Sequence, residues 1–320
     1  MRLKWPLLLG LVALTLGAPA ADARSPFHLI GKGSVTTDGK RYALLRDREN
    51  TPYRVIDDRL HRSWAIASTP PGCGDVAGVA DGFLLWHCPA LAGMQNPSSR
   101  PVLQNLETDE VAPVPGWDAY LSWFDARAAT GWMGQGPWPE DLGSHWLRAS
   151  VNCYHCGPEY SYIDWHTGRF ASYLPDAPTV VADLDAPELQ VRLCAPLRRH
   201  AIDAPFGQSF EAADYAPPWF LRGSAGRYVQ LYRCGHRRPL RIHRCSDLSS
   251  CYPQLGGGFL TWSDPSWHGV IPTIKVFRLA DRRLLSIGKL EGTRGVQHTR
   301  RTIYVNATSG KVYAAPMPRR

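Results

Sequence analysis

The chain has 320 residues, with 36 Lys and Arg against 28 Asp and Glu and a formal net charge of +8. Beyond residue 23 no stretch reaches the roughly 18 consecutive apolar residues that a membrane span needs. The basic residues are scattered, with doublets such as Arg198-Arg199, Arg237-Arg238 and Arg300-Arg301. Nucleic-acid grooves concentrate charge on one element, so nucleic acid is not the expected partner.

The first 23 residues read as a secretory signal peptide. Arg2 and Lys4 form a basic start, Leu7 to Leu16 an apolar core, and Ala21-Asp22-Ala23 a small-x-small cleavage site. Cleavage after Ala23 removes two basic residues and one acidic residue and leaves a net charge of +7 on 297 residues. The expected location is secreted or periplasmic.

The rest of the chain, 24–320, reads as one domain of short strands. Phe27 to Ile30 is a short apolar run, an isolated strand with the last repeat as a possible partner. Then Val35-Thr36-Thr37-Asp38-Gly39-Lys40-Arg41-Tyr42-Ala43-Leu44-Leu45 places an Asp-Gly turn pair before a strand. This piece resembles the strand-turn-strand motif of TolB-type β-propellers, with Thr36-Thr37 in place of Ser-Pro and Leu45 in place of Phe. The resemblance covers about ten residues, points to a repeat of the propeller kind and identifies no specific family.

Gly82-Phe83-Leu84-Leu85-Trp86 returns 176 residues later as Gly258-Phe259-Leu260-Thr261-Trp262. A glycine opening an apolar run that ends in tryptophan marks a strand leaving a tight turn. Similar units start at Tyr42, Trp146, Tyr228 and Thr302. We expect these six strands to be equivalent first, innermost strands of successive sheets. No stretch shows a long 3.6-residue apolar period, so helices should be few.

The expected fold is therefore all-β, a β-propeller of about six four-stranded blades, with seven blades or paired β-sandwich domains as alternatives. Residues 175–218 are rich in Pro, Ala and Asp and read as an inserted loop with one short helix at Pro187, or as a degraded seventh blade.

All eight cysteines follow the signal peptide, and an even count in an exported chain implies disulfides. Short closures favour Cys73–Cys88, Cys153–Cys156 and Cys245–Cys251, leaving Cys194 with Cys234. Cys153-Tyr154-His155-Cys156 also has the spacing of a redox dithiol or half a zinc site, but the compartment favours a disulfide.

No H-E-x-x-H, G-x-S-x-G, phosphate-binding loop or EF-hand loop is present. The favoured function is binding: a monomeric, non-catalytic recognition or scaffold module for an extracytoplasmic protein, glycan or anionic ligand, with no cofactor. The competing reading is a propeller hydrolase or lyase with a channel-facing His/Arg/Asp site. The candidate ligand-binding residues are His145, Trp146, Arg148, His298, Arg300 and Arg301, because each histidine precedes an expected innermost strand and arginines follow at short spacing. Imidazole and guanidinium groups gathered on one face suit an anionic ligand.

Overall fold

A computed structural model describes residues 25–46, 53–66, 69–88, 100–128, 134–143, 146–153, 157–173, 215–216, 219–221, 228–233, 238, 240–245, 253–264 and 271–318. Residues 1–23, read above as a signal peptide, and nearly all of 175–218, including Pro187, lie outside these residues.

Six four-stranded antiparallel sheets make up the described chain. The first holds β2 (Ser34–Thr37), β3 (Tyr42–Arg46), β4 (Arg54–Asp57) and β5 (Arg62–Ala65). The second holds β6 (Val76–Ala80), β7 (Phe83–Trp86), β8 (Val102–Asn105) and β9 (Val111–Pro113). The third holds β10 (Gly134–Leu142), β11 (Trp146–Cys153), β12 (Gly157–Asp164) and β13 (Arg169–Tyr173). The fourth holds β14 (Tyr215–Ala216), β15 (Trp219–Leu221), β16 (Tyr228–Arg233) and β17 (Leu240–Arg244). The fifth holds β18 (Gln254–Gly256), β19 (Phe259–Asp264), β20 (Thr273–Arg278) and β21 (Arg283–Lys289). The sixth holds β22 (Thr293–His298), β23 (Thr302–Ala307), β24 (Lys311–Pro316) and, from the other end of the chain, β1 (His28–Lys32).

Side-chain alternation explains why the sheets stack as a ring. On β3, Tyr42 and Leu44 pack with Val79, Leu84 and Trp86 of the second sheet, while Ala43 and Leu45 pack with Tyr304, Val312 and Ala314 of the sixth. Successive strand residues point to opposite faces, so a strand covered on both sides must be apolar throughout. The same division holds on β23: Ile303 and Val305 face the fifth sheet, and Tyr304 faces the first. Buried clusters thus join the fourth sheet to the fifth, the fifth to the sixth, the sixth to the first, the first to the second and the second to the third. This is a β-propeller, and burial of the first, second, fifth and sixth sheets on both faces argues against the paired-sandwich alternative. β1 pairs with β24, His28 opposite Ala314, so the N-terminal strand closes the ring, as the Phe27 to Ile30 run allowed.

The repeat is as expected for Phe83 and Phe259: each opens the second strand of its sheet, and Trp86 and Trp262 both face the preceding sheet. Two expectations are corrected. The strands opening at Tyr42, Phe83, Trp146, Phe259 and Thr302 are second strands, not innermost ones. Tyr228 opens the third strand of its sheet. The first strands escaped notice because they are short or carry polar residues, such as Thr37, Gln254 and Gln297. Also unforeseen is the helix α1 (Trp117–Ala128), which seats Trp117, Tyr120 and Leu121 between the second and third sheets.

Cys73 and Cys88 form a disulfide, as expected. Cys245 is also disulfide-bonded, but Cys251 lies outside the described residues. So do Cys156, Cys194, Cys234 and the side chain of Cys153. No described helix is long and apolar enough to cross a membrane.

Candidate functional site

In an antiparallel sheet, the turn after the first strand and the turn after the third lie at the same end. Around the sixth, first and second sheets that end carries the turns 299–301, 38–41, 58–61 and 81–82. Each turn is built from its own residues. Asp38 Oδ1 accepts the backbone N–H groups of Lys40, Arg41 and Tyr42 at 2.8, 2.7 and 2.9 Å, which folds the chain over at Gly39. Burial raises the Asp38 pKa against these three donors, which lower it.

The next turn begins at Asp57, which is fully buried. Arg41 grips it with two bonds, Nε to Oδ1 at 3.1 Å and one terminal nitrogen to Oδ2 at 2.7 Å. The N–H groups of Arg59 and Leu60 add two more at 3.0 and 3.1 Å. Burial acts to raise the Asp57 pKa, but the guanidinium and the amides together hold it below the usual carboxylate value. Asp58, also buried, accepts the hydroxyls of Thr299 and, at 3.0 Å, Tyr304. Burial first, and the Asp58 charge second, push the Tyr304 phenol well above its ordinary pKa.

The turn 299–301 is anchored from below. His298 has no solvent exposure. Its Nδ1 meets Thr261 Oγ1 at 2.8 Å and its Nε2 meets Gly256 O at 3.0 Å. A carbonyl only accepts, so Nε2 carries the proton and Thr261 donates to Nδ1. Burial lowers the His298 pKa to about 4, so the ring is neutral at pH 7. Around it Gln254 donates to Thr37 Oγ1 and to Gln297 Oε1, both at 2.9 Å. Thr37 in turn donates to His298 O at 2.7 Å. First strands β2, β18 and β22 are thereby laced together beside the ring axis.

Above this base the arginines diverge. Arg301 spans to the first sheet, donating to Arg59 O at 3.3 Å and to His61 Nε2 at 2.8 Å. Arg300 is tied by its backbone, N–H to Lys40 O at 2.9 Å, and its side chain lies across Gly257. Its guanidinium is exposed, with no hydrogen-bond or carboxylate partner among the described residues. Arg59 and Arg283 share that condition. Nearby cations are already engaged: Lys40 with Asp81 at 2.9 Å, and Arg278 with Asp281 at 2.5 Å.

Two clefts meet at the Arg300-Arg301 turn. The smaller, about 480 Å³, lies over the first, second and sixth sheets and includes Asp38, Lys40, Asp58 and Arg59. The larger, about 990 Å³, runs between the fifth and sixth sheets past Phe259, Arg283, Pro316 and Met317.

Arg300 and Arg301 thus stand together, and His298 lies beneath them as a buried brace rather than a surface group. Arg148 belongs to the third sheet, where its Nε lies 3.1 Å from Glu140 Oε2. His145 and the side chain of Trp146 fall outside the described residues. Sequence reasoning missed Arg59, Arg283 and Gly257, which reach the clefts from other sheets. Among the described residues no group of three His, Cys, Asp or Glu side chains is placed to hold a metal ion.

No family model matches the chain, and no curated protein matches it. Among solved structures it is similar to a putative TolB from Agrobacterium tumefaciens, at 8% identity over 91% of each chain with a TM-score of 0.42. It is similar to a prolyl endopeptidase at 11% identity and TM-score 0.38, covering 92% of this chain but 43% of that one. BamB from Moraxella catarrhalis is similar at 11% identity, over 90% of this chain and 85% of that one, with a TM-score of 0.32. These values carry no functional argument, and the propeller assignment rests on the sheet packing.

Proposed function

We propose that this protein is an exported binding or scaffold propeller, and that its ligand surface is the turn face carrying Arg300 and Arg301. The observation that supports this is the exposed Arg300 guanidinium, unpartnered among the described residues and standing where two clefts meet. A guanidinium presents its donors in a planar fork that matches a carboxylate, so the ligand is anionic. The Cys73–Cys88 disulfide fits an oxidising, extracytoplasmic compartment, in line with the signal-peptide reading. Arg301 shapes the site by tying the first sheet to the sixth, and His298 holds the turn from below.

Titration calorimetry with glutarate and with oligogalacturonate tests the proposal. Arg300→Ala should weaken binding of at least one by about tenfold, the order of a lost charge-assisted pair. Equal affinity for parent and variant, or no binding of either anion, argues against it.

A second reading, a hydrolase or lyase, draws on Asp38. Its Oδ2 is buried without a hydrogen-bond partner and its pKa is raised by burial, in the same small cleft as Arg300. A carboxyl whose pKa is raised by burial can hold a proton to donate, the property a general acid needs. Turnover of a bound acidic glycan, lost in Asp38→Asn with binding retained, would favour this reading over simple recognition.

A further inference from the structure

The two clefts share Arg300 and Arg301 as a common wall, and their chemistry differs along their length. The small cleft is charged. The large one has an apolar floor of Phe259, Pro316 and Met317, with Arg283, Arg300 and the Arg278–Asp281 ion pair also in its lining. Taking the anionic-ligand reading as its premise, we infer that the site takes an extended acidic peptide segment of a partner protein, lying across the Arg300-Arg301 turn. Its carboxylates meet the guanidinium groups, and an apolar side chain fills the large cleft.

Three observations carry this. First, the guanidinium groups without partners among the described residues are spread over both clefts: Arg59 in the small one, Arg283 in the large one, Arg300 in both. A ligand confined to one cleft leaves one of them unused. Second, the apolar floor is proline and methionine, with Phe259 partly buried against the core and its ring set edge-on to His298 at 6.4 Å. Sugars favour an open aromatic face for stacking, whereas an aliphatic side chain packs against such a floor. Third, extended backbone returns side chains to the same side at every second residue, so a segment with an acidic and an apolar residue two positions apart presents both chemistries to the clefts along one line. The larger cleft, near 990 Å³, has room for more than one side chain.

The test is fluorescence anisotropy on the full chain of a labelled glutamate–leucine peptide, in which glutamate and leucine take turns at every second position with serine between them. Glutamate–serine and lysine–leucine peptides are the controls, and oligogalacturonate is the competitor. The glutamate–leucine peptide should bind about tenfold tighter than the glutamate–serine one, the order of one buried aliphatic anchor. Arg59→Ala and Arg283→Ala should each weaken it several-fold, because a spanning ligand uses both. Loss with Arg59→Ala but not Arg283→Ala confines the ligand to the small cleft and overturns the spanning peptide. Oligogalacturonate binding more tightly than the peptide overturns it in favour of a glycan. In both cases glutarate binding that depends on Arg300 leaves the anionic-site reading intact, whereas no binding of any anionic probe removes both.

Discussion

Thr261 Oγ1 lies 2.8 Å from His298 Nδ1, and this contact joins β19 of the fifth sheet to β22 of the sixth with no water-exposed atom on the imidazole. The ring is held neutral, with a folded pKa near 4 against 6.5 in an ordinary peptide. A depressed imidazole pKa means that the unfolded chain binds the proton more readily. Stability from this site is therefore complete above about pH 6.5 and is lost as pH falls toward 4.

The first prediction follows from that sign. Urea unfolding at pH 7, 5.5 and 4 should show the parent losing roughly 3 kcal/mol at this site. In His298→Gln this part of the pH slope should vanish, while the variant is less stable than the parent at pH 7. Parallel pH profiles for the two proteins would contradict it.

The approach of Gly39 to Gly256 supports a second prediction. A Cβ added at Gly256 would stand 2.6 Å from Gly39 Cα, a backbone atom that cannot swing aside. Gly256→Ala should destabilise by about 2 kcal/mol, read from denaturant midpoints, since overpacking here must move a turn of the first sheet away from the fifth. Gly258→Ala meets nothing within 4 Å and carries only the strain of φ +93°. It separates backbone strain from the clash.

Arg41 and Asp57 make a third. Arg41→Met leaves the Asp57 carboxylate buried with Arg62 as the nearest remaining cation, Nε to Oδ2 at 3.7 Å. At pH 7 the loss should be about 3 kcal/mol, the range for breaking a buried pair. The Asp57 pKa is depressed on folding, so its contribution is present above about pH 4 and falls away below that. The gap between parent and variant should accordingly narrow in acid.

The loop closed by Cys73–Cys88 supplies a fourth. With a sequence separation of 15, replacing both cysteines by serine should lower stability by about 3 kcal/mol through the freed unfolded chain. Thermal melts of this double variant, beside the reduced and oxidised parent, measure it.

Much of the fold was readable because the second strands are sandwiched. Leu84-Leu85-Trp86 and Ile303-Tyr304-Val305 are apolar at every position, since alternate residues enter different inter-sheet cores. That same strength misled the assignment of strand order. The first strands near the axis hold Thr37, Gln254 and Gln297, whose hydrogen bonds to one another give no hydrophobic signal. α1 was missed because Trp117, Tyr120, Leu121 and Phe124 recur at helical spacing over only two turns, too short a run to stand out. The site was half legible. Arg300 and Arg301 were found through their nearness to His298 in sequence, but Arg59 arrives by topology from a turn of the first sheet, and Arg283 from the start of β21 in the fifth.

The central claim is that the turn face at Arg300 binds an anionic ligand. Its most direct measurement is titration of glutarate and oligogalacturonate into the parent and into Arg300→Glu at low and physiological salt, with thermal melts as a folding control. Reversing an exposed charge should leave the melt unchanged and reduce affinity by more than tenfold, with the parent's affinity falling as salt screens the site. An Arg300→Glu protein that folds normally and binds these anions as the parent does would contradict the account.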